Sequence, residues 1–331
     1  MVTDVKYERI TFRSFDRQWV IADSRLLDRP RRPLWEARHP GQIFVVEQHS
    51  IHPRQGPALY FSGSMPDINA FNNRGGRTLP MLHPDGSPNL VSGLLEVLVT
   101  HFGAGIDPTD LVYYLAGVTA HPGFVETFDD ELTTPGIRVP MTADRALWDR
   151  AVQLGKHAVW LHSFGTAGGH PDGIHDIRSP QILIAHPSYN VPVGKRMPTS
   201  LQYDADAQEL RLGNGVWAPV SAEVRNYTVG GVKVIDSWVG YRMEKPKGRR
   251  SSPLDDINVT QWPSEWSAEL SELLSVLAQL VALEPSQLDL LEDILAGPLF
   301  TVEALTEAGV QWPTSSADRN PRRVVRGGLF G

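Results

Sequence analysis

The sequence predicts an α+β protein of two lobes: a mixed β/helical N-terminal lobe over residues 1–165 and a C-terminal lobe over 166–312. The C-terminal lobe is expected to hold a β-meander and a helical hairpin. Three observations carry this prediction. Apolar residues alternate in short runs through residues 5–61, and again over 201–220, at the period of half-buried strands. Between Asn89 and His162 the period changes to three or four, as in amphipathic helices. A leucine-rich stretch over 270–295 then restores the helical period near the C-terminus. The remainder, 313–331, sets Arg319, Arg322, Arg323 and Arg326 against Asp318, a balance of 4 − 1 = +3, and reads as a flexible basic tail.

Residues 5–23 read as two strands with a turn at Ser14 to Arg17, followed by an extended segment in which Arg25, Arg29, Arg31 and Arg32 flank prolines. Short strands are expected at Gln42–Glu47 and Ala58–Phe61. Residues 66–80 form a polar, glycine-containing loop. Asn89 is expected to cap one helix, and Asp107-Pro108 to begin another, since proline is tolerated at the first helical position. A third, short helix is expected from Phe124 to Leu132. A long one starts near Thr142, with Leu147, Ala151, Leu154, Ala158 and Leu161 on one face and Trp148 and Trp160 in the core. Residues 163–198 are irregular apart from a strand at Gln181–Ala185. Leu201 to Val220 reads as a meander whose Gly213-Asn214-Gly215 is a hairpin turn, because no helix follows it. Leu270 to Val281 and Pro285 to Leu295 are the two arms of the expected helical hairpin.

One stretch stands apart. Gly231 to Ile257 opens as a strand with Val232, Val234 and Trp238, then turns cationic. Arg242, Lys245, Lys247, Arg249 and Arg250 set five positive charges against one negative, Glu244. Pro246 and Gly248 prevent this run from being an ordinary helix face. A strand that fixes a stiff basic loop suits an element that faces phosphate, and a solvated basic loop has the same composition.

The chain's 331 residues suffice for one large domain or two ordinary ones. Net charge is −7, so any contact with nucleic acid must use a local basic patch. There is no cysteine, which excludes disulfides, thiolate catalysis and cysteine-ligated zinc and fits a reducing cytoplasm. Residues 1–20 are charged throughout, unlike a signal peptide, and no apolar run approaches the ~20 residues of a membrane span.

Among eleven histidines the closest grouping is His170 with His175 and Asp176, beside His157 and His162. It lies in a glycine-rich loop without HExxH spacing, so no metal site is expected. No GxSxG elbow, GxGxxG, P-loop or adenine-methyltransferase motif occurs, so no catalytic residue is assigned.

RITFRSFDRQWVIADSRLLDRPRRPLW (9–35), FNNRGGRTLP (71–80), LAGVTAHPGFVETFDDELTTPGIRVPMT (115–142), WVGYRMEKPKGRRSSPLDDI (238–257) and TQWPSEW (260–266) resemble the C-terminal specificity region of type ISP restriction-modification enzymes, in order and over nearly the whole chain. The resemblance implies recognition of a short asymmetric double-stranded DNA sequence by two lobes facing across a cleft. Phosphate contacts would come from Arg242, Lys245, Lys247, Arg249 and Arg250, with Arg29, Arg31, Arg32, Lys195 and Arg196. Asn72, Asn73, Arg74 and Arg77 would read base edges. In the family, nuclease, ATPase and adenine-N6 methyltransferase domains share the polypeptide. S-adenosylmethionine, ATP and magnesium are therefore expected only in partner domains, and a methyltransferase or nuclease subunit or a neighbouring gene product is the expected protein partner. Two other readings stay open: a folded remnant without activity, and an enzyme with a site in the His-rich loop 157–176.

Overall fold

The structure, a computed structural model, describes residues 6–23, 25–27, 30–49, 51–71, 76–174, 177, 197–244, 259–315 and 319. The fold is α+β, with small antiparallel sheets and longer helices. It divides into two units. Unit 1 comprises Met1–Asp172, Val229–Gly231 and Leu283–Gly331, and unit 2 comprises Gly173–Thr228 and Val232–Ala282. The C-terminal segment thus belongs with the N-terminal unit, where the sequence reading assigns 166–312 to one C-terminal lobe.

Unit 1 begins with the ribbon β1 (Tyr7–Arg13) and β2 (Asp16–Ile21), followed by the short helix α1 (Arg32–Glu36). At the ribbon's turn Phe15 takes φ +62°. That conformation is unusual for a bulky residue, and it is held by burial of the ring and a 3.1 Å hydrogen bond from the Phe15 N–H to the Tyr60 hydroxyl. Strands β3 (Phe44–Glu47), β4 (Leu59–Ser62) and β5 (Arg77–Pro80) form a sheet in the order β4-β3-β5. All four residues of the central strand β3 are buried, as a strand covered on both faces requires.

Helices α2 (Leu94–Phe102), α3 (Pro108–Thr119), α4 (Pro122–Thr127) and α5 (Arg145–His162) follow, with a single 3₁₀ turn at Glu131–Thr133. The first begins five residues after Asn89, whose side chain instead donates to the Pro80 carbonyl. Asp107 caps α3 as expected: its carboxylate accepts from the Thr109 and Asp110 N–H groups, and Asp110 accepts from Asp107 in return. The third is shorter than expected and stops at Thr127. Asp144 rather than Thr142 caps α5.

Helices α3 and α5 meet backbone to backbone. A Cβ on Gly155 would lie 1.6 Å from the Tyr113 carbonyl oxygen, and one on Gly117 would lie 2.2 Å from that of Ala151. Only glycine permits this approach. Beside the contact, Leu98, Tyr114, Trp148, Leu290, Leu291 and Ile294 form a core with no exposed surface. Each such aliphatic side chain contributes roughly 1.5–3 kcal/mol by leaving water.

In unit 2 the strands β6 (Leu201–Asp204), β7 (Glu209–Leu212) and β8 (Gly215–Trp217) form the expected meander, turning at Gly213-Asn214. Helix α6 (Ala222–Asn226) and the strand pair β9 (Thr228–Val229) and β10 (Val232–Lys233) lead to α7 (Val234–Gly240). This helix corrects the strand expected through Trp238: Val234, Ile235, Trp238 and Val239 are its buried residues, at helical spacing.

The expected helical hairpin is one helix, α8 (Ser264–Ala296), followed by α9 (Val302–Glu307). Pro285 lies inside α8, where it removes one i→i−4 hydrogen bond without ending the helix. Residues up to Ala282 belong to unit 2 and those from Leu283 to unit 1. By length and composition α8 is long and apolar enough to cross a membrane, as the core helix of a globular protein can also be, and half of its most apolar window is buried inside the protein. The expected strand at 181–185, and the tail beyond Ser315 apart from Arg319, lie outside the described residues.

Candidate functional site

Of the four expected base readers, Asn72, Asn73 and Arg74 lie outside the described residues, and Arg77 opens β5. The segments on either side of 72–75 are tightly held. The Ser14 hydroxyl donates to the Ala70 carbonyl at 2.9 Å, Arg13 pairs with Asp67 at 3.0 Å, and Phe71 is fully buried. On the far side, a Cβ on Gly76 would lie 2.9 Å from the Glu47 carbonyl oxygen, so glycine lets the chain re-enter flush against β3.

Arg77 pairs across the sheet with Glu47, the last residue of β3. Its Nε lies 2.6 Å from Glu47 Oε1, and His49 Nδ1 lies 3.2 Å from the same oxygen. Glu47 is 3% exposed, whereas the Arg77 side chain is 49% exposed. A buried carboxylate thus holds a half-exposed arginine beside the 72–75 segment. The sequence reading misses Glu47 and His49. The available signal is a lone carboxylate ending the apolar run Ile43-Phe44-Val45-Val46.

Among the expected phosphate contacts, Arg31 and Arg32 are exposed at the start of α1, with Arg32 Nε 2.6 Å from Glu36 one turn on. Arg29, Lys195, Arg196, Lys245, Lys247, Arg249 and Arg250 lie outside the described residues. The ribbon adds a feature that the sequence does not announce. A cavity of about 360 Å³ opens beside Tyr7, Arg9, Trp19, Arg38, His39 and Ser64. Trp19 is 64% exposed there, and the Arg9 guanidinium lies 5.2 Å from its ring centre.

Arg242 needs a correction. The basic run suggests a phosphate contact, but the residue is 3% exposed. Its guanidinium lies 3.7 Å from the Trp238 ring centre and 5.5 Å from that of Trp266, and it donates to the Trp238 carbonyl at 2.9 Å. Glu269 is 3.8 Å away. The electron-rich indole faces and the carboxylate hold this cation inside unit 2, so it offers no face to a phosphate.

The His-rich segment is not one constellation among the described residues, where no group of three potential metal ligands comes together. His162 is fully buried and stacked on Tyr60 at 5.1 Å, and its Nδ1 accepts from the Phe61 N–H at 3.2 Å. Burial lowers its pKa to about 3, so the ring is neutral and part of the core. His170 packs edge-on to Trp160, and His175 and Asp176 lie outside the described residues.

The family model of the Type ISP C-terminal specificity domain matches residues 2–273. The chain belongs to this family. No curated protein matches the sequence. The specificity domain's fold is shared with a nuclease-deletion mutant of the Type ISP restriction-modification enzyme LlaGI in complex with a DNA substrate mimic: TM-score 0.56, 16% identity, 87% of this chain and 21% of that one. It is shared equally with a DrdV–DNA complex: TM-score 0.60, 14% identity, 87% of this chain and 28% of that one. The ATP-dependent Type ISP enzyme LlaBIII bound to DNA gives TM-score 0.57 and 14% identity, over 89% of this chain and 18% of that one. The specificity domain thus spans less than a third of the length of each of these chains. The family match ends within α8, whereas unit 1 continues beyond it from Leu283.

Proposed function

We propose that this specificity domain recognises a short asymmetric sequence in double-stranded DNA on behalf of a restriction-modification system. Methylation and cleavage belong to other domains or to a separate subunit, which also hold S-adenosylmethionine, ATP and magnesium. The observation that carries this reading is the family match over residues 2–273, and the fold shared with three proteins solved in complex with DNA or a DNA mimic supports it. In this reading Lys245, Lys247, Arg249 and Arg250 neutralise phosphates, with Arg31 and Arg32 as secondary contacts, and the 72–77 segment faces base edges. The system works in the cytoplasm, where the DNA is.

The test is selection from a random duplex library by the purified chain, with and without an adjoining methyltransferase subunit. One asymmetric sequence should be enriched. Enrichment of none under either condition overturns the reading.

A further inference from the structure

We propose that Glu47 is a positioning residue that holds Arg77 so that its two terminal nitrogens read one guanine of the recognised sequence. This inference rests on the DNA-recognition reading above and adds to it the residue that aims the reader and the base that is read.

A carboxylate buried as fully as that of Glu47 needs a cation beside it. The Arg77 guanidinium supplies that cation, and it and the His49 ring both approach Oε1 from partly exposed positions, 49% and 41% for their side chains. An ion pair serving the core alone would have both partners inside, as Arg242 is among its tryptophans. Glu47 is instead an anchor from which a half-exposed side chain projects.

The atom used matters as well. Glu47 takes Nε, the inner edge of the guanidinium, at 2.6 Å. Among the described residues no other ion pair or hydrogen bond engages the Arg77 side chain, so Nη1 and Nη2 remain as an end-on fork. Two parallel donors at that spacing match guanine O6 and N7, an acceptor pair that no other base presents in the major groove. A long side chain normally loses rotamer freedom on binding, and here the buried carboxylate has already restricted it. The backbone is fixed too, since Arg77 opens a strand paired to β3, and Gly76 lets the chain enter against the Glu47 carbonyl.

The test compares the full chain with Glu47→Gln, Arg77→Met and His49→Gln on the duplex selected by the wild type. Each guanine of that duplex is replaced in turn by 7-deazaguanine, which lacks the N7 acceptor. At one position the substitution should weaken wild-type binding about 10-fold to 100-fold and leave Arg77→Met unaffected, since methionine has no donor to offer N7. Glu47→Gln should relax preference at that same position while keeping non-specific affinity within about twofold, a separation a purely structural role would not produce. His49→Gln should have the smaller effect of the same kind.

If the wild type selects a sequence and Glu47→Gln keeps every preference, or weakens all duplexes by one factor, the inference is overturned and the DNA reading stands. If the wild type selects nothing, both fall. Should Glu47→Gln fail to fold, Arg77→Met decides: unchanged discrimination at every guanine overturns the inference.

Discussion

The two units treat buried charge in opposite ways. In unit 2 a cation, Arg242, is enclosed by Trp238 and Trp266, with Glu269 at the edge. In unit 1 the tightest packing excludes side chains altogether, since α3 and α5 touch through Gly117 and Gly155, and the buried anion Glu47 sits at a strand end with its partners reaching outward. Indole faces accept a cation without a full counter-charge, whereas a carboxylate needs one. A basic residue in a basic run is therefore no guide to the surface, and an acidic residue in an apolar strand can mark one.

The glycine contact gives the largest expected effect. Gly155→Ala places a methyl where the Tyr113 carbonyl oxygen is, 1.6 Å away, and no rotamer relieves it. The helices must separate, uncovering Trp148 and its neighbours. A loss of about 4 kcal/mol or more is expected in denaturant titration, at the upper end for one substitution. A variant within about 1 kcal/mol of wild type would show that α3 and α5 are not in backbone contact.

Next, the arginines separate structure from binding. Arg242→Ala removes the cation and the packing of its stem, and should cost about 2–4 kcal/mol of stability. At temperatures where the variant stays folded, the salt dependence of its DNA affinity should be unchanged. Arg249 and Arg250 changed together to alanine should do the reverse: stability holds, specific and non-specific duplexes weaken alike, and the slope of log affinity against log salt flattens by about 2. An Arg242→Ala protein that alone flattens the slope would return that residue to the phosphate contacts.

Much of the fold is legible where local chemistry decides it. Asp107-Pro108 announces α3 because its cap is made within four residues, and Gly213-Asn214-Gly215 announces its hairpin for the same reason. Errors arise where distant packing wins. Pro285 suggests a helix start, but the apolar residues on both sides, from Leu270 to Leu280 and from Leu290 to Ile294, are buried along one continuous helix and outweigh one lost hydrogen bond. Val232 and Val234 suggest a strand, yet Val234, Ile235, Trp238 and Val239 bury one helical face. In the site, Arg77 is legible as a polar residue in a loop-to-strand segment, but Glu47 lies 30 positions earlier, and only the β3–β5 register brings the two together.

The smallest expected effect concerns a carboxylate of unit 1 that meets no cation among the described residues. Glu284, on α8 beside Pro285, is partly buried, and burial together with the nearby carboxylate of Glu126 raises its pKa from 4.5 to about 7. The unfolded chain releases this proton near pH 4.5, but the folded chain holds it until about pH 7. Folding is therefore unpenalised below pH 4.5, loses stability progressively between 4.5 and 7, and carries the whole penalty above 7. The shift corresponds to a few kcal/mol at face value. Because the group is partly solvated, about 1–2 kcal/mol is the expected size. Glu284→Gln keeps the shape and removes the ionisation, so it should stabilise the protein by that amount at pH 8 and leave it unchanged at pH 4.5. Glu126→Gln should recover only the smaller, repulsive part, because burial of Glu284 persists. Denaturant midpoints measured for the three proteins from pH 4.5 to 8.5 check this. A Glu284→Gln gain that is equal at both ends would mean that packing, not ionisation, separates the two side chains.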